Sequence, residues 1–152
     1  SDDSYAKLDE ISPFFITQVI ESEDRRFYDH KGINLSSTAR AFLKNIETGT
    51  TTEGGSSITQ QLAKNMYFSF EKRYERKVAE LFVAFDLEKA YSKNEILELY
   101  CNIAYFGEGC YGIKEATVYY YGIEPDELTL EQAEILVKTL KSPNIYNPNT
   151  LK

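Results

Sequence analysis

The chain has 152 residues, 42% of them hydrophobic, which suits one domain with a true core and excludes wholesale disorder. Seventeen Lys and Arg stand against 24 Asp and Glu, a net charge of −7, so a general nucleic-acid binder with a basic face is excluded. The longest apolar run is five residues, Leu81 to Phe85, against about 20 for a transmembrane helix, and the start Ser1-Asp2-Asp3-Ser4 does not read as a signal peptide.

In chain order the pattern is helical, with no internal repeat. Ser12-Pro13 is a cap followed by Pro at the first helical position, which opens a helix to about Glu23. Ala39, Phe42, Leu43 and Ile46 recur at three- and four-residue spacing and predict a helix over 36–46. Glu47 to Gly55 is loop by composition. A helix begins near Ser57, and a long one follows from about Glu71 to Ala90. Ser92 with Glu95, and Thr129 with Gln132, are capping boxes for helices through Cys101 and up to Ser142-Pro143. The predicted class is all-α.

The long helix places Val78, Leu81, Phe82 and Phe85 on one side and Val83, Ala84 and Leu87 nearly opposite, with Glu80 among the latter. A helix apolar on two sides reads as interior, so Glu80 is expected away from water. A buried carboxylate either takes a raised pKa or is held ionised by a cation, and Arg76, one turn earlier, is the obvious one, with Lys77 nearby. The plain alternative is an exposed ion pair. Glu23 sits at a helix end in a run that also holds Glu21, Asp24 and Asp29, with Phe27 and Tyr28 adding apolar bulk. Like charges and desolvation both push a carboxyl pKa upward, which suits a general base. His30, the only histidine, is the alternative base, although lone histidines more often serve as structural hydrogen-bonding groups.

Basic residues concentrate in the middle of the chain. Residues 31–80 carry eight basic and five acidic side chains, whereas both flanking stretches are net acidic. Within that third, Gly54-Gly55-Ser56-Ser57 leads into a helix on which Ser57, Gln61 and Lys64 share a face. A helix N-terminus with free N–H groups attracts phosphate, though an ordinary N-cap loop has the same composition. Cys101 and Cys110 lack metal spacing and read as two half-buried free thiols, with a bridge across the intervening turn left open.

The order of these pieces resembles the peptidoglycan glycosyltransferases of glycosyltransferase family 51, the transglycosylase domain of class A penicillin-binding proteins and of monofunctional transglycosylases. Five motif blocks occur in register across about residues 10–149. They are Glu23 to Gly32; Gly55 to Gln61 with Lys64-Asn65; Arg76 to Glu80, continuing to Glu98 and Asn102; Gly109 to Ile113 with Tyr120-Tyr121-Gly122; and Leu128-Thr129-Leu130 with Ser142 to Pro148. Three positions depart from the pattern: Ser57 where Thr is common, Ile123 where a basic residue is usual, and Cys101 in place of an aliphatic residue.

The resemblance implies a single domain over 1–152, with a lysozyme-like head lobe and a smaller membrane-proximal jaw lobe at roughly 46–72. It implies polymerisation of lipid II into β-1,4 glycan strands, with inversion and release of polyprenyl pyrophosphate. Glu23 would be the base on the acceptor 4-hydroxyl, and Glu80 would sit by the donor pyrophosphate, binding a divalent metal (magnesium or manganese) or helping to protonate the leaving group. Asp24, Phe27, His30, Ser56, Ser57, Thr59, Gln60, Gln61, Lys64, Asn65, Arg76 and Lys77 would line the substrate site. Inversion requires base and leaving group on opposite sides of the anomeric carbon, so the two glutamates are expected to line one cleft without touching. The implied partners are lipid II, the nascent strand, the membrane surface and a C-terminal transpeptidase domain in the full-length protein, at the extracytoplasmic face of the bacterial membrane. The chain itself reads as an excised catalytic domain, and Met66 to Phe70 as an apolar cluster that dips into the bilayer. Two alternatives remain: a glycan-cleaving lysozyme-like hydrolase or lytic transglycosylase, which needs no pyrophosphate cradle, and a non-catalytic glycan- or lipid II-binding module, against which both retained glutamates speak.

Overall fold

Helix start signals set most of the element boundaries in the computed structural model, which describes residues 3–32, 55–67 and 73–151. The described residues form six α-helices: α1 (Pro13–Glu23), α2 (Ile58–Tyr67), α3 (Arg73–Ala90), α4 (Lys93–Ile103), α5 (Ile113–Tyr121) and α6 (Leu130–Thr139). Short 3-10 turns lie at Leu8–Glu10 and Pro125–Glu127, and an isolated bridge pairs Tyr105 with Tyr111. The fold is all-α, as predicted. The expected helix over 36–46 and nearly all of the 47–55 loop lie outside the described residues, as do 46–54 and 68–72 of the segment assigned to a jaw lobe.

Both predicted capping boxes form. Ser92 Oγ accepts from Glu95 N while Glu95 Oε1 accepts from Ser92 N, and Thr129 and Gln132 repeat the exchange at the start of α6. Each satisfies two backbone donors that the first helical turn leaves orphaned. Ser12 does a different job: its hydroxyl donates to Leu128 O at 3.1 Å, and its N–H donates to Pro125 O at 3.0 Å.

Two compact units emerge. The first joins residues up to Ser22 with those from Leu97 onward; the second runs from Glu23 to Ile96. In the first, Phe15, Val19, Leu97, Tyr100, Phe106, Ile113 and Leu136 are buried, with the rings of Phe15 and Phe106 6.1 Å apart. One face of α4 holds the N-terminal segment. Glu98 accepts from Tyr5 Oη at 2.5 Å and from Leu8 N at 2.7 Å. Asn102, one turn on, pairs with both the N–H and the C=O of Ala6 at 2.7 Å. Desolvation and the Glu98 carboxylate push the Tyr5 phenol up to about 12.

Glycines of the fourth block serve close packing in this unit. A Cβ on Gly112 (φ +90°) would stand 2.5 Å from Asn102 O, and one on Gly107 (φ +82°) 2.2 Å from Pro143 O. Gly122 (φ +65°) ends α5 in the left-handed conformation with open space around it. Cys101 and Cys110 are free thiols, both fully buried where half-burial was expected.

In the second unit the buried residues include Phe27, Ile58, Leu62, Ala63, Ala84, Leu87 and Ile96, and α2 packs against α3. Here one expectation is overturned. Helix α3 is not buried on two sides: Phe82 is 68% and Phe85 40% exposed, and the interior face is Glu80, Ala84 and Leu87. Those three fall at i, i+4 and i+7, a single stripe, so the apolar residues opposite mark a solvent-facing side and not a second core face. The burial of Glu80 stands, but for a different reason from the one the pattern gave.

Two outcomes follow. Gly107→Ala is expected to cost at least about 2 kcal/mol in chemical denaturation, from left-handed strain plus collision with Pro143, whereas Gly122→Ala costs about 1 kcal/mol from strain alone. Burial raises the Cys101 thiol to about 12, and Cys110 upward as well. A raised folded-state thiol pKa contributes stability below the unfolded value of about 8.5 that is lost as pH climbs toward 12. At pH 8 Cys101 is therefore expected to react with a disulfide reagent only as fast as the protein unfolds.

Candidate active site

Every site residue predicted from sequence falls in the second unit, between Glu23 and Lys77 or at Glu80. The unit builds its site around the start of α2. Ser57 is the N-cap: its hydroxyl accepts from Gln60 N at 3.0 Å, and Gln60 Oε1 accepts from Ser57 N at 3.0 Å, a capping box written as Ser-x-x-Gln. The same hydroxyl donates to Gly32 O at 2.5 Å. Gly32 (φ +107°) lies against the α3 backbone, where a Cβ would meet Ala84 at 3.3 Å.

The next orphan donor of α2, Ile58 N, is taken by Asp24 Oδ2 at 3.1 Å, across 34 residues of sequence. That oxygen also lies 2.5 Å from Nε2 of His30. Asp24 is 5% exposed, and its Oδ1 takes no hydrogen bond from the described residues. A buried carboxylate is retained only where donors compensate for lost hydration, and here they are an imidazole N–H and a helix-terminal amide whose dipole favours the negative charge.

The expected free phosphate cradle at Gly54-Gly55-Ser56-Ser57 therefore does not match the hydrogen bonding. The N–H groups of Ser57, Ile58 and Gln60 have partners within the protein, and Ser57, Thr59 and Gln60 are buried. Their side chains build the scaffold: Thr59 Oγ1 donates to Glu88 Oε1 at 3.2 Å. Phe27 is fully buried, edge-on to Tyr28 and to the ring of His30.

The outer side of α2 is different. Gln61 and Lys64 are half-buried and Asn65 is exposed. Gln61 Nε2 donates to Glu23 Oε2 at 3.5 Å and to Ser56 O at 3.3 Å. Glu23, the last residue of α1, is half-buried as a residue with its Oε1 out of solvent, whereas Asp24 is buried as a whole. Glu80 is 1% exposed on α3. The side chains of Arg76 and Lys77 lie outside the described residues, as do Phe68 to Phe70; Met66, beside them, is 40% exposed.

Sequence reading missed two residues of this assembly. Lys93 Nζ lies 2.8 Å from Glu88 Oε2, 3.5 Å from His30 Nδ1 and 4.7 Å above the Phe27 ring. Glu88 ties Lys93 to Thr59. Both residues fall within the third motif block, where Ser92 and Glu95 drew attention as caps and nothing local singled out Glu88 or Lys93.

Among the described residues no three His, Cys, Asp or Glu side chains group to hold a metal, and none of their helices is long and apolar enough to cross a membrane. Ser57→Ala is expected to cost about 1–2 kcal/mol, since it removes a cap and leaves the Gly32 carbonyl without its donor, read as a lowered denaturation midpoint.

Comparison with known proteins gives a consistent result. A family model described as transglycosylase matches residues 1–152. The chain is 46% identical over 145 residues to penicillin-binding protein 2a of Streptococcus pneumoniae, covering 95% of this chain and 19% of that protein. It is 45% identical over 129 residues to penicillin-binding protein 1F of Bacillus subtilis, covering 85% of this chain and 18% of that one. With penicillin-binding protein 1B of Escherichia coli it shares 42% identity over 137 residues, 88% of this chain and 16% of the other. The chain thus spans under a fifth of the length of these relatives.

Proposed function

The chain belongs to the transglycosylase family, and on that premise we propose that it is a peptidoglycan glycosyltransferase. It joins lipid II units into β-1,4 glycan strands, inverting the donor anomeric carbon and releasing polyprenyl pyrophosphate. The observation that carries this reading is the division of labour between adjacent acids. Asp24 is buried and bonded to scaffold donors, while Glu23 stands half-buried at the helix end within reach of the Gln61 amide.

The acceptor 4-hydroxyl is a poor nucleophile until its proton is removed, so Glu23 takes the proton as the oxygen attacks the donor anomeric carbon. The Gln61 N–H steadies the carboxylate. Negative charge grows on the departing diphosphate, and cations placed in advance lower the barrier. Lys64, half-buried on α2, and Arg76 and Lys77 on α3 are the candidates.

Glu80, almost without solvent contact, follows Arg76 by one turn on α3, and its negative charge favours a cation near the departing diphosphate. A divalent ion at Glu80 would be held by that carboxylate with the donor's phosphate oxygens, since the described residues supply no three-ligand cage, and would supply charge to the departing diphosphate. The membrane surface, the growing strand and a transpeptidase domain on a longer parent chain, at the extracytoplasmic face, complete the proposal.

Glu23→Gln is expected to lower lipid II polymerisation by about 10²–10⁴-fold, as for loss of a general base, with the thermal midpoint unchanged within 2–3 °C. Full activity in that variant refutes the assignment. Release of fragments from finished glycan, with no polymer formed from lipid II, would instead identify a hydrolase.

A further inference from the structure

We propose that Lys93 is a positioning residue for the glycosyltransferase site. Its ammonium, beside Nδ1 of His30 and over the Phe27 ring, holds the imidazole in the place from which Nε2 clamps Asp24 and the α2 terminus that presents Gln61 to Glu23.

The argument starts from a donor count. His30 Nδ1 lies 3.0 Å from Gly32 N, a backbone amide that can only donate, so Nδ1 carries a lone pair and no proton. The ring proton therefore sits on Nε2, 2.5 Å from Asp24 Oδ2, and is donated to it. Gly32 N takes that lone pair, and Lys93 Nζ, 3.5 Å from the same nitrogen, stands beside the ring as a fixed positive charge. The charged groups brought to this ring are the Asp24 carboxylate on one nitrogen and the Lys93 ammonium on the other, with Glu88 behind the ammonium.

Lys93 is itself held in place. Glu88 pairs with it at 2.8 Å with only 8% of the carboxylate side chain exposed, and the Phe27 ring lies under the ammonium. The Glu88 carboxylate also accepts from Thr59. The path thus runs from α2 through Glu88, Lys93, His30 and Asp24 and back to α2 at Ile58. Gln61 stands one turn beyond Ile58, so the angle at which its amide meets Glu23 follows from how Asp24 holds that terminus.

The chain's single histidine makes the test direct. Long-range ¹H–¹⁵N spectra of the wild-type chain at pH 7 are expected to show a protonated Nε2 and a bare Nδ1. Lys93→Met is expected to move the two ring ¹⁵N shifts from their wild-type values as the imidazole loses its fixed place. It should also lower kcat for polymerisation about tenfold with KM within twofold, and Lys93→Arg should restore both readouts. If Lys93→Met does not fold, Glu88→Gln, which releases the ammonium, is read the same way. A ring pattern unchanged in the variant overturns the proposal whatever the activity does, and a changed pattern with full activity overturns the positioning role. The inference rests on the proposed function only through the kinetic arm. A wild-type chain that polymerises nothing would refute that function while the spectra still decided the clamp.

Discussion

One carboxylate oxygen, Asp24 Oδ2, decides the architecture around the candidate site. It accepts from an imidazole N–H and from the first amide of α2, two donors that lie 6 and 34 residues away in sequence. Burying that charge costs several kcal/mol unless both donors are in place, so the turn after α1 and the start of α2 are fixed together or not at all. Because Glu23 immediately precedes Asp24, its position follows from how Asp24 is held. Two adjacent acids thus stand in different surroundings, one buried against scaffold donors and one half-buried beside the Gln61 amide.

The first unit, by contrast, spends its motif residues on shape. Asn102 pairs with both backbone groups of Ala6 as a neighbouring strand would, and Glu98 gathers the hydroxyl of Tyr5 and the amide of Leu8. Asn147, buried near the C-terminal end, accepts from the amides of Asn149 and Thr150 and donates to Pro143 O. Tyr120 places its hydroxyl 2.7 Å from Phe106 O. These residues belong to the third, fourth and fifth blocks, and in this unit each is explained by a hydrogen bond or a close approach without reference to a substrate.

How much of this was legible follows from range. Capping boxes at Ser92 and Thr129, and the helix starting at Pro13, depend on residues within four positions of one another, and all three were readable. The class and the family were readable too, because the motif order is preserved. What failed was the surroundings of α3. Periodicity alone cannot tell a second buried face from an exposed aromatic one, so Phe82 and Phe85 were assigned to the interior. The glycine-serine stretch left two readings open for a related reason. Local composition announces a helix start, but whether its N–H groups remain available depends on Asp24, which only the folded chain brings there. The Lys93 contact with His30 spans 63 residues and left no local trace.

Thr59 and Ile58 are neighbours in α2, so the path through Glu88, Lys93, His30 and Asp24 closes into a loop instead of ending as a string. A loop cut once still connects all its members through the other arm, whereas a string falls into two pieces. The energetic penalties of separate cuts therefore do not add: the remaining arm cushions the first, and the second, which isolates a segment, costs more than it would alone. Substitution pairs around this loop measure a shared constraint, and one apparently tolerant position on it says little about the importance of the rest.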